Sequence, residues 1–298
     1  MVIPFRLTEE WSGKYKQDQG LNEAVLKLSR GRTSFTGADA ERHVIQQTGG
    51  KHSTAGAGSH STDVRGSHPE HGDLNIEVKS HNHDQGQVRT EVQSDGTRVR
   101  QTKGSRKNKD VEKQPRAAKL IRRSSQRAAQ AAGGLTPGTT PTTRIDSKGK
   151  EQTKPKATAT EKGEIKDKRI KMSHRNALGF LHHEDPVQIH VSHRTGEAVI
   201  VPMKRKHHHH AIRMGVPKGK VVSFESLAMS KKHGNKESPF HARGGRGKGS
   251  SINYSVGGDS HKVVESVRDA GGHVFKSLTH LGKHLKASGW TLNSGHQN

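Results

Sequence analysis

Residues 103–127 contain ten lysines or arginines against only two acidic residues, Asp110 and Glu112. Such a density of cations is suited to binding phosphate groups, because each Lys or Arg that contacts a nucleic-acid backbone releases a condensed counterion. The net charge of +24 for the whole chain at pH 7 points to the same kind of partner. We therefore expect segment 103–133 to bind nucleic acid.

A helix over residues 115–132 must position these cations. The stretch is rich in strong helix formers, and two glycines follow it. On a helical period most of its cations share one face, and the segment resembles the arginine-rich class of RNA-binding segments. RNA is thus favoured over DNA, although a solvated charge run in a disordered linker is the rival interpretation. The residues predicted to hold phosphates here are Arg106, Lys107, Lys109, Arg116, Lys119, Arg122, Arg123 and Arg127.

Two further basic stretches extend the predicted footprint. The first is Lys204, Arg205 and Lys206, and the second contains Arg243, Arg246 and Lys248 between glycines. Spaced cations on a glycine backbone resemble the arginine–glycine segments of RNA-binding proteins.

The arginine-rich segment also fits two regulatory patterns. Arg122 and Arg123 directly precede Ser124 and Ser125, which is a site that basophilic kinases prefer. A phosphate there would remove close to two charges from the binding face. The basic pairs in this segment also have the spacing of a bipartite nuclear import signal, so the nuclear import machinery is a second expected partner.

Histidine is unusually frequent, with 23 copies that include residues 207–210. Near pH 6 many of these side chains would gain protons and strengthen polyanion binding. Zinc binding by His182, His183, His190 and His193 is the weaker alternative. The sequence contains neither a phosphate-binding loop nor a complete serine-hydrolase or zinc-protease motif, so we expect no enzymatic activity, no cofactor and no resident metal.

Composition predicts a largely disordered chain with small α+β elements. Only 27% of the residues are hydrophobic and 3% are aromatic, and no aromatic residue lies between positions 36 and 179. The chain has no cysteine, no secretion signal and no run of apolar residues that could span a membrane. We expect it in the cytoplasm, the nucleus or both, neither secreted nor integral to a membrane.

The first third of the chain divides into three predicted parts. Residues 1–45 form an N-terminal docking segment, and residues 46–72 form a linker rich in Gly, Ser, Thr and His. Residues 73–102 alternate apolar and polar side chains, which predicts a weak β segment at 74–101 arranged as a three-stranded meander. Its single apolar face would need a lid, for which a second copy of the meander is the expected candidate.

A disordered linker at 134–171 and a small basic α+β region at 172–254 follow the arginine-rich segment. Within this region a β segment at 187–224 combines a hairpin formed by strands 187–191 and 198–201 with a third strand at 220–224.

The tail, residues 258–290, shows the clearest periodicity. Apolar residues at helical spacing predict one amphipathic helix over 260–288, kinked at two glycines, with a seam that requires a partner. Self-association through this seam is expected, packing on the preceding strands is the alternative, and an acidic membrane surface comes next. The seam consists of Val264, Val267, Val274, Leu278, Leu281 and Leu285.

These observations predict a homo-oligomeric, non-enzymatic protein that packages, protects or transports nucleic acid. A viral accessory, movement or nucleoprotein-like protein would fit this mosaic. The alternatives are a peripheral membrane protein that uses the tail helix and an adaptor that binds protein partners.

Overall fold

The computed structural model describes residues 37–53, 63–92, 99–101, 123, 135–136, 141–145, 149, 151–155, 158–159, 168–178, 181, 185–244 and 252–295. They form short helices and mixed sheets. The helices are α1 Gly37–Thr48, α2 His174–Leu178, α3 His208–Arg213, α4 Phe224–Met229, α5 Ser260–Asp269 and α6 Leu278–Ala287. The strands are β1 Val64–His68, β2 Gly72–Ser80, β3 Asn82–Val92, β4 Val99–Gln101, β5 Leu135–Thr136, β6 Pro141–Ile145, β7 Glu151–Pro155, β8 Thr158–Ala159, β9 Lys168–Ser173, β10 Val187–Val191, β11 Ala198–Pro202, β12 Glu237–Gly244, β13 Ile252–Asp259 and β14 Thr291–Ser294.

The first sheet has five strands in the order β11-β10-β2-β1-β14. Neighbouring strands are antiparallel except β10 and β2, which run parallel. In β2 the side chains of Leu74, Ile76 and Val78 are buried and alternate with more exposed polar residues, so this strand has one apolar face. Strands β10 and β11 are buried throughout, which shows that this end of the sheet is covered on both faces.

Helices α1 and α6 cover one face of the first sheet and form the first core with it. The ring of Trp290 and the leucines of α6 pack there with the apolar residues of α1, Val44 and Ile45. The hydroxyl of Thr48, at the end of α1, accepts a hydrogen bond from the N–H of Leu292 over 3.0 Å. The first core therefore joins helices and strands from the two ends of the described chain.

The second sheet is antiparallel, in the order β4-β3-β13-β12-β9. Its inner face and helix α5 contribute to a second core, which also receives Val199 and Val201 of β11. The alternate residues of β11, Ala198 and Ile200, belong to the first core. Because successive side chains of a strand point to opposite faces, the second core lies between the two sheets. The inner face contributes Met172, Phe240, Ala242 and Val256, and α5 contributes Val263, Val264 and Val267.

The chain passes from the first sheet to the second at His81, which separates β2 from β3. This corrects the predicted meander. Strand β3 pairs with β4, as expected, but β2 pairs with β1 and β10 in the other sheet. Helices of the same chain cover the apolar face of β2, so the lid is not a second copy.

The hairpin predicted at 187–201 is present, with Ile189 opposite Ile200. The third strand predicted at 220–224 is wrong. The hydroxyl of Ser223 accepts the N–H of Ser226 over 3.0 Å and thereby caps α4, whose first residue, Phe224, is buried in the second core. A good N-cap and a single aromatic anchor outweigh the β propensity of the preceding valines.

The single tail helix predicted at 260–288 is also wrong. Helix α5 ends before Gly271, whose φ of 76° is left-handed, and α6 begins after the cap Ser277. Between the helices Phe275 pairs with Ala198. The predicted seam is therefore divided between two cores within one chain: Val264 and Val267 are buried in the second, with Val274 packed against it, and Leu278, Leu281 and Leu285 are buried in the first. These side chains are not an exposed self-association surface.

Several predicted boundaries differ from the structure. Helix α1 crosses the boundary at 45/46, and β1 lies inside the predicted linker 46–72. Strands β5 to β8 and the first part of β9 lie inside the predicted linker 134–171. Of the arginine-rich segment only Arg123 is described; it is helical and exposed. The predicted docking segment before residue 37 lies outside the described residues.

Candidate nucleic-acid interface and histidine cluster

Residues 204–220, which we call the basic segment, carry exposed cations and no acidic residue. The segment comprises a 3-10 turn at Arg205–His207, helix α3 and a second 3-10 turn at Lys218–Lys220. The next acidic residue along the chain is Glu225. The exposed cations are Lys204, Arg205, Lys206, Arg213, Lys218 and Lys220.

Buried side chains and hydrogen bonds attach the basic segment to the first core. Ala211, Met214 and Val216 are buried there. The indole N–H of Trp290 donates to the carbonyl of Arg213 over 2.9 Å. The cations are therefore presented from a backbone whose position the core determines.

Gly215 makes a further contact between the basic segment and α6. The Nε2 of His284, on α6, donates to the Gly215 carbonyl over 2.9 Å. The φ of Gly215 is 89°, and a Cβ atom at this position would overlap the imidazole of His284 and the hydroxyl of Ser288. Only glycine satisfies both requirements without strain.

Burial lowers the pKa of three histidines of the basic segment, His207, His208 and His210. Burial lowers the pKa of His210 to about 4, and the neighbouring charges of His209, His207 and Arg213 act in the same direction. Burial, followed by the charges of Lys206 and Lys204, lowers the pKa of His207. These three imidazoles are thus neutral near pH 7, where Lys and Arg supply the positive charge around them.

The structure places the predicted phosphate-binding residues unevenly. Lys204, Arg205 and Lys206 begin the basic segment, and Arg243 lies half-buried on β12 of the second sheet. The sequence analysis missed Arg213, Lys218 and Lys220, which the fold adds to the same segment; their common signal is the absence of any acidic residue from 204 to 224. The remaining predicted residues lie outside the described part of the chain: Arg106, Lys107, Lys109, Arg116, Lys119, Arg122, Arg127, Arg246 and Lys248, together with Ser124 and Ser125.

Five histidines gather where the two sheets meet. The rings of His81 and His193 stack with centroids 4.7 Å apart, and His193 lies edge-on to His261 at 6.1 Å. The rings of His83 and His190 are 5.2 Å apart. We call these five residues the histidine cluster. Two closely spaced pairs are its signal in the sequence: His81 and His83 follow strand β2, and His190 and His193 lie at the end of strand β10.

The backbone of His81 is unusual. Its φ of 53° is the single positive value among the non-glycine residues that the structure describes, and histidine tolerates this region better than most residues do. The carbonyl of His81 accepts the N–H of Ser260 over 2.9 Å. This contact connects the corner between the sheets to the start of α5.

Hydrogen bonds from buried side chains fix His190 and His261. Nε2 of His190 donates to Oε1 of Gln188 over 2.8 Å, and its Nδ1 is 3.3 Å from the hydroxyl of Ser260. The hydroxyl of Ser192 donates to Nδ1 of His261 over 2.9 Å. These contacts satisfy polar groups in the interior between the sheets.

The cluster contains the elements of a serine–histidine–glutamate arrangement, because Nε2 of His261 is 3.4 Å from a carboxylate oxygen of Glu265. Ser192 is nevertheless fully buried, and its hydroxyl already accepts the backbone N–H groups of Arg194 and Thr195. A substrate cannot reach it without unfolding the turn. Ser192 therefore stabilises this turn and is not placed as a nucleophile.

The cluster also does not form a metal site. Within the described residues no three His, Asp or Glu side chains are arranged to hold a metal ion. Burial lowers the pKa of His81, and the charge of His193 acts in the same direction. Burial also lowers the pKa of His193. The imidazoles of His81 and His193 are thus neutral near pH 7.

No family model matches this chain, and no curated protein or solved structure is detectably similar to it. None of the helices among the described residues has the length and apolar character needed to cross a membrane.

Proposed function

We propose that this chain binds nucleic acid, RNA ahead of DNA, through phosphate contacts and without catalysing a reaction on it. The observation that carries the proposal is the basic segment, which contains six exposed cations and no acidic residue of its own. The carboxylate of Glu225 contacts this segment at the backbone, where it accepts the N–H of Arg205 over 2.6 Å. Packaging, protecting or transporting the bound strand would follow from binding that depends little on sequence.

The electrostatics of the basic segment favour a polyanion over a small anion. Its six cations are exposed and distributed over 17 residues of the chain, a distribution that suits a repeating series of phosphates. If all six cations contact phosphates of a single strand, the plot of log affinity against log salt should have a slope of about −4 from this segment alone.

The apolar side chains of α5 and α6 weigh against the membrane alternative. Binding of these helices to a bilayer would require an exposed apolar face, but Val264, Leu281 and Leu285 are fully buried in the two cores. Nuclear import and phosphorylation of Ser124 and Ser125 remain predictions from the sequence.

Fluorescence anisotropy with a labelled single-stranded RNA tests the proposal. The full chain should bind, and its affinity should fall steeply as salt is raised. A Lys204→Gln, Arg205→Gln, Lys206→Gln variant should bind more weakly and reduce the magnitude of the salt slope by about 2.

A matched control removes the same number of charges elsewhere, by Lys231→Gln, Lys236→Gln and Lys262→Gln, at exposed positions outside the basic segment. This control should retain most of the affinity. Absence of RNA binding by the natural chain, or equal losses in both variants, would refute the role assigned to the basic segment.

A further inference from the structure

A loop between two strands of the first sheet carries two stacked imidazole rings. Residues 69–71 connect β1 to β2, and the pairing of His68 with Gly72 closes this loop. The rings of His68 and His71 lie nearly parallel, at an interplanar angle of 12° and with their centroids 4.2 Å apart. His71 is half-buried, so part of this residue is accessible to solvent while its ring lies on that of His68.

Hydrogen bonds fix the ring of His68, on which His71 lies. Its Nδ1 accepts the backbone N–H groups of Glu70 and His71 over 3.0 and 3.2 Å. In this tautomer Nε2 carries the proton and donates to the carbonyl of Ser288 over 3.0 Å. Gly289, with a φ of 83°, leaves room for the ring, since a Cβ atom there would come within 2.7 Å of Nε2. Both nitrogens of His68 are thus engaged, and its ring supports that of His71 in a fixed orientation.

Trp290 connects the stacked rings to the basic segment. Its ring is tilted against both imidazoles, with centroids 5.2 Å from that of His68 and 6.5 Å from that of His71. The indole N–H of the same side chain donates to the carbonyl of Arg213. Arg213 is one of the exposed cations of the basic segment. One buried indole therefore contacts both the stacked rings and the backbone that presents a cation.

The chemistry of this loop suits a nucleic-acid base better than a phosphate. The nitrogens of His68 are already engaged, and the exposed carboxylate of Glu70, in the loop itself, would repel a phosphate. The nearby carboxylate of Asp73 is bound by Arg65 and Ser67. A flat aromatic ring can stack on any base, because every base has a π face. The loop and the basic segment thus offer complementary contacts, one for a base and the other for phosphates.

We propose that His71, supported by His68, is a stacking platform for one unpaired base of an RNA strand whose phosphates contact the basic segment around Arg213. The inference rests on the proposed function and deepens it, because such a contact distinguishes nucleic acid from other polyanions. It also predicts a preference for single strands, since the bases inside a duplex are stacked on one another and cannot reach an imidazole. Stacking adds affinity without releasing counterions, whereas phosphate contacts weaken as salt is raised.

The test uses the full chain and two labelled single strands of about eight nucleotides, a length that a single-strand site covers. One is an RNA, and the other is an abasic strand with the same number of phosphates. The natural chain should bind the RNA more tightly than the abasic strand. His71→Ala should reduce the affinity for RNA about fivefold or more, which is the lower end of what one stacked base contributes. The affinity for the abasic strand and the salt slope of RNA binding should not change.

Three control variants separate stacking from a structural role of His71. His71→Tyr restores a flat ring and should bind RNA as the natural chain does. His71→Leu keeps a side chain of similar size but no flat ring; it should show the same loss as His71→Ala and keeps the test decisive if the alanine variant does not fold. His52→Ala removes another half-buried imidazole, next to Ser53, which bonds to Ser294 at the opposite end of β1 from His68. It should leave both affinities unchanged.

The outcomes distinguish this proposal from the one before it. If the natural chain binds neither strand, the proposed function fails and the platform fails with it. If the natural chain binds both strands equally, or if the alanine and leucine variants bind RNA as the natural chain does, phosphate binding stands and the platform is refuted. An equal loss for the two strands would show that His71 only supports the fold, and it would likewise overturn the inference.

Discussion

Replacing Glu41 should stabilise the protein in a pH-dependent manner. Glu41 lies on α1, half-buried, near Asp63 and Glu77. Lys79 lies 3.4 Å from Asp63 and contacts Glu77 as well. Burial, together with the negative charge of Asp63, raises the pKa of Glu41 to about 7, although Lys79 acts against this. Three carboxyl groups thus share one ammonium group, and ionisation of Glu41 opposes the docking of α1.

The magnitude follows from the pKa difference. A rise from 4.5 to about 7 corresponds to roughly 3 kcal/mol when each pKa unit is worth about 1.36 kcal/mol. Solvent still reaches part of the side chain, and screening reduces the expected effect to about 1–2 kcal/mol. Because the folded-state pKa is raised, the native state loses stability as the pH rises from about 4.5 through about 7.

The assay is urea unfolding of the natural chain and the Glu41→Gln variant near pH 5 and near pH 8. The variant should gain little at the lower pH and about 1–2 kcal/mol at the higher one. Glu70→Gln, which removes the same charge from an exposed position, should change stability little at either pH. An equal effect of Glu41→Gln at both pH values, or destabilisation near pH 8, would refute the reasoning.

Two further predictions concern the first core. Burial lowers the pKa of His43 from 6.5 to about 4. The free energy of unfolding should therefore fall by up to roughly 3 kcal/mol as the pH drops between these two values. In acid unfolding curves the His43→Gln variant should show a weaker dependence on pH, and an unchanged dependence would contradict the prediction. Leu281→Ala should cost about 2–5 kcal/mol, since the side chain is fully buried. Its unfolding midpoint should not vary with protein concentration, whereas such variation would place Leu281 between chains.

Alternation along strands was the reliable signal in this sequence. It identified β2 and β10, and the turn after β10 indicated that the apolar run Ala198–Val201 is the second strand of a hairpin, β11. It could not identify their partners. The parallel pairing of β2 with β10 joins residues more than 100 positions apart, and nothing local specifies such a contact.

Helical periodicity misled at the tail because two short helices happened to continue the same spacing. Val267 and Leu278 have the spacing of one helical seam, but the left-handed backbone at Gly271 turns the chain between them. Leu278 is therefore buried in the first core and Val267 in the second. Periodicity reports that a face is apolar and does not report what covers it.

The sequence indicated which basic residues belong to the candidate site, but it did not indicate how they are arranged in space. Lys204, Arg205 and Lys206 are obvious in the sequence as a cationic run. Arg169 lies in a stretch predicted as a linker, and its position opposite Arg243 depends on the register of two strands about 70 residues apart. Cross-strand neighbours of this kind become visible only when the sheet is known.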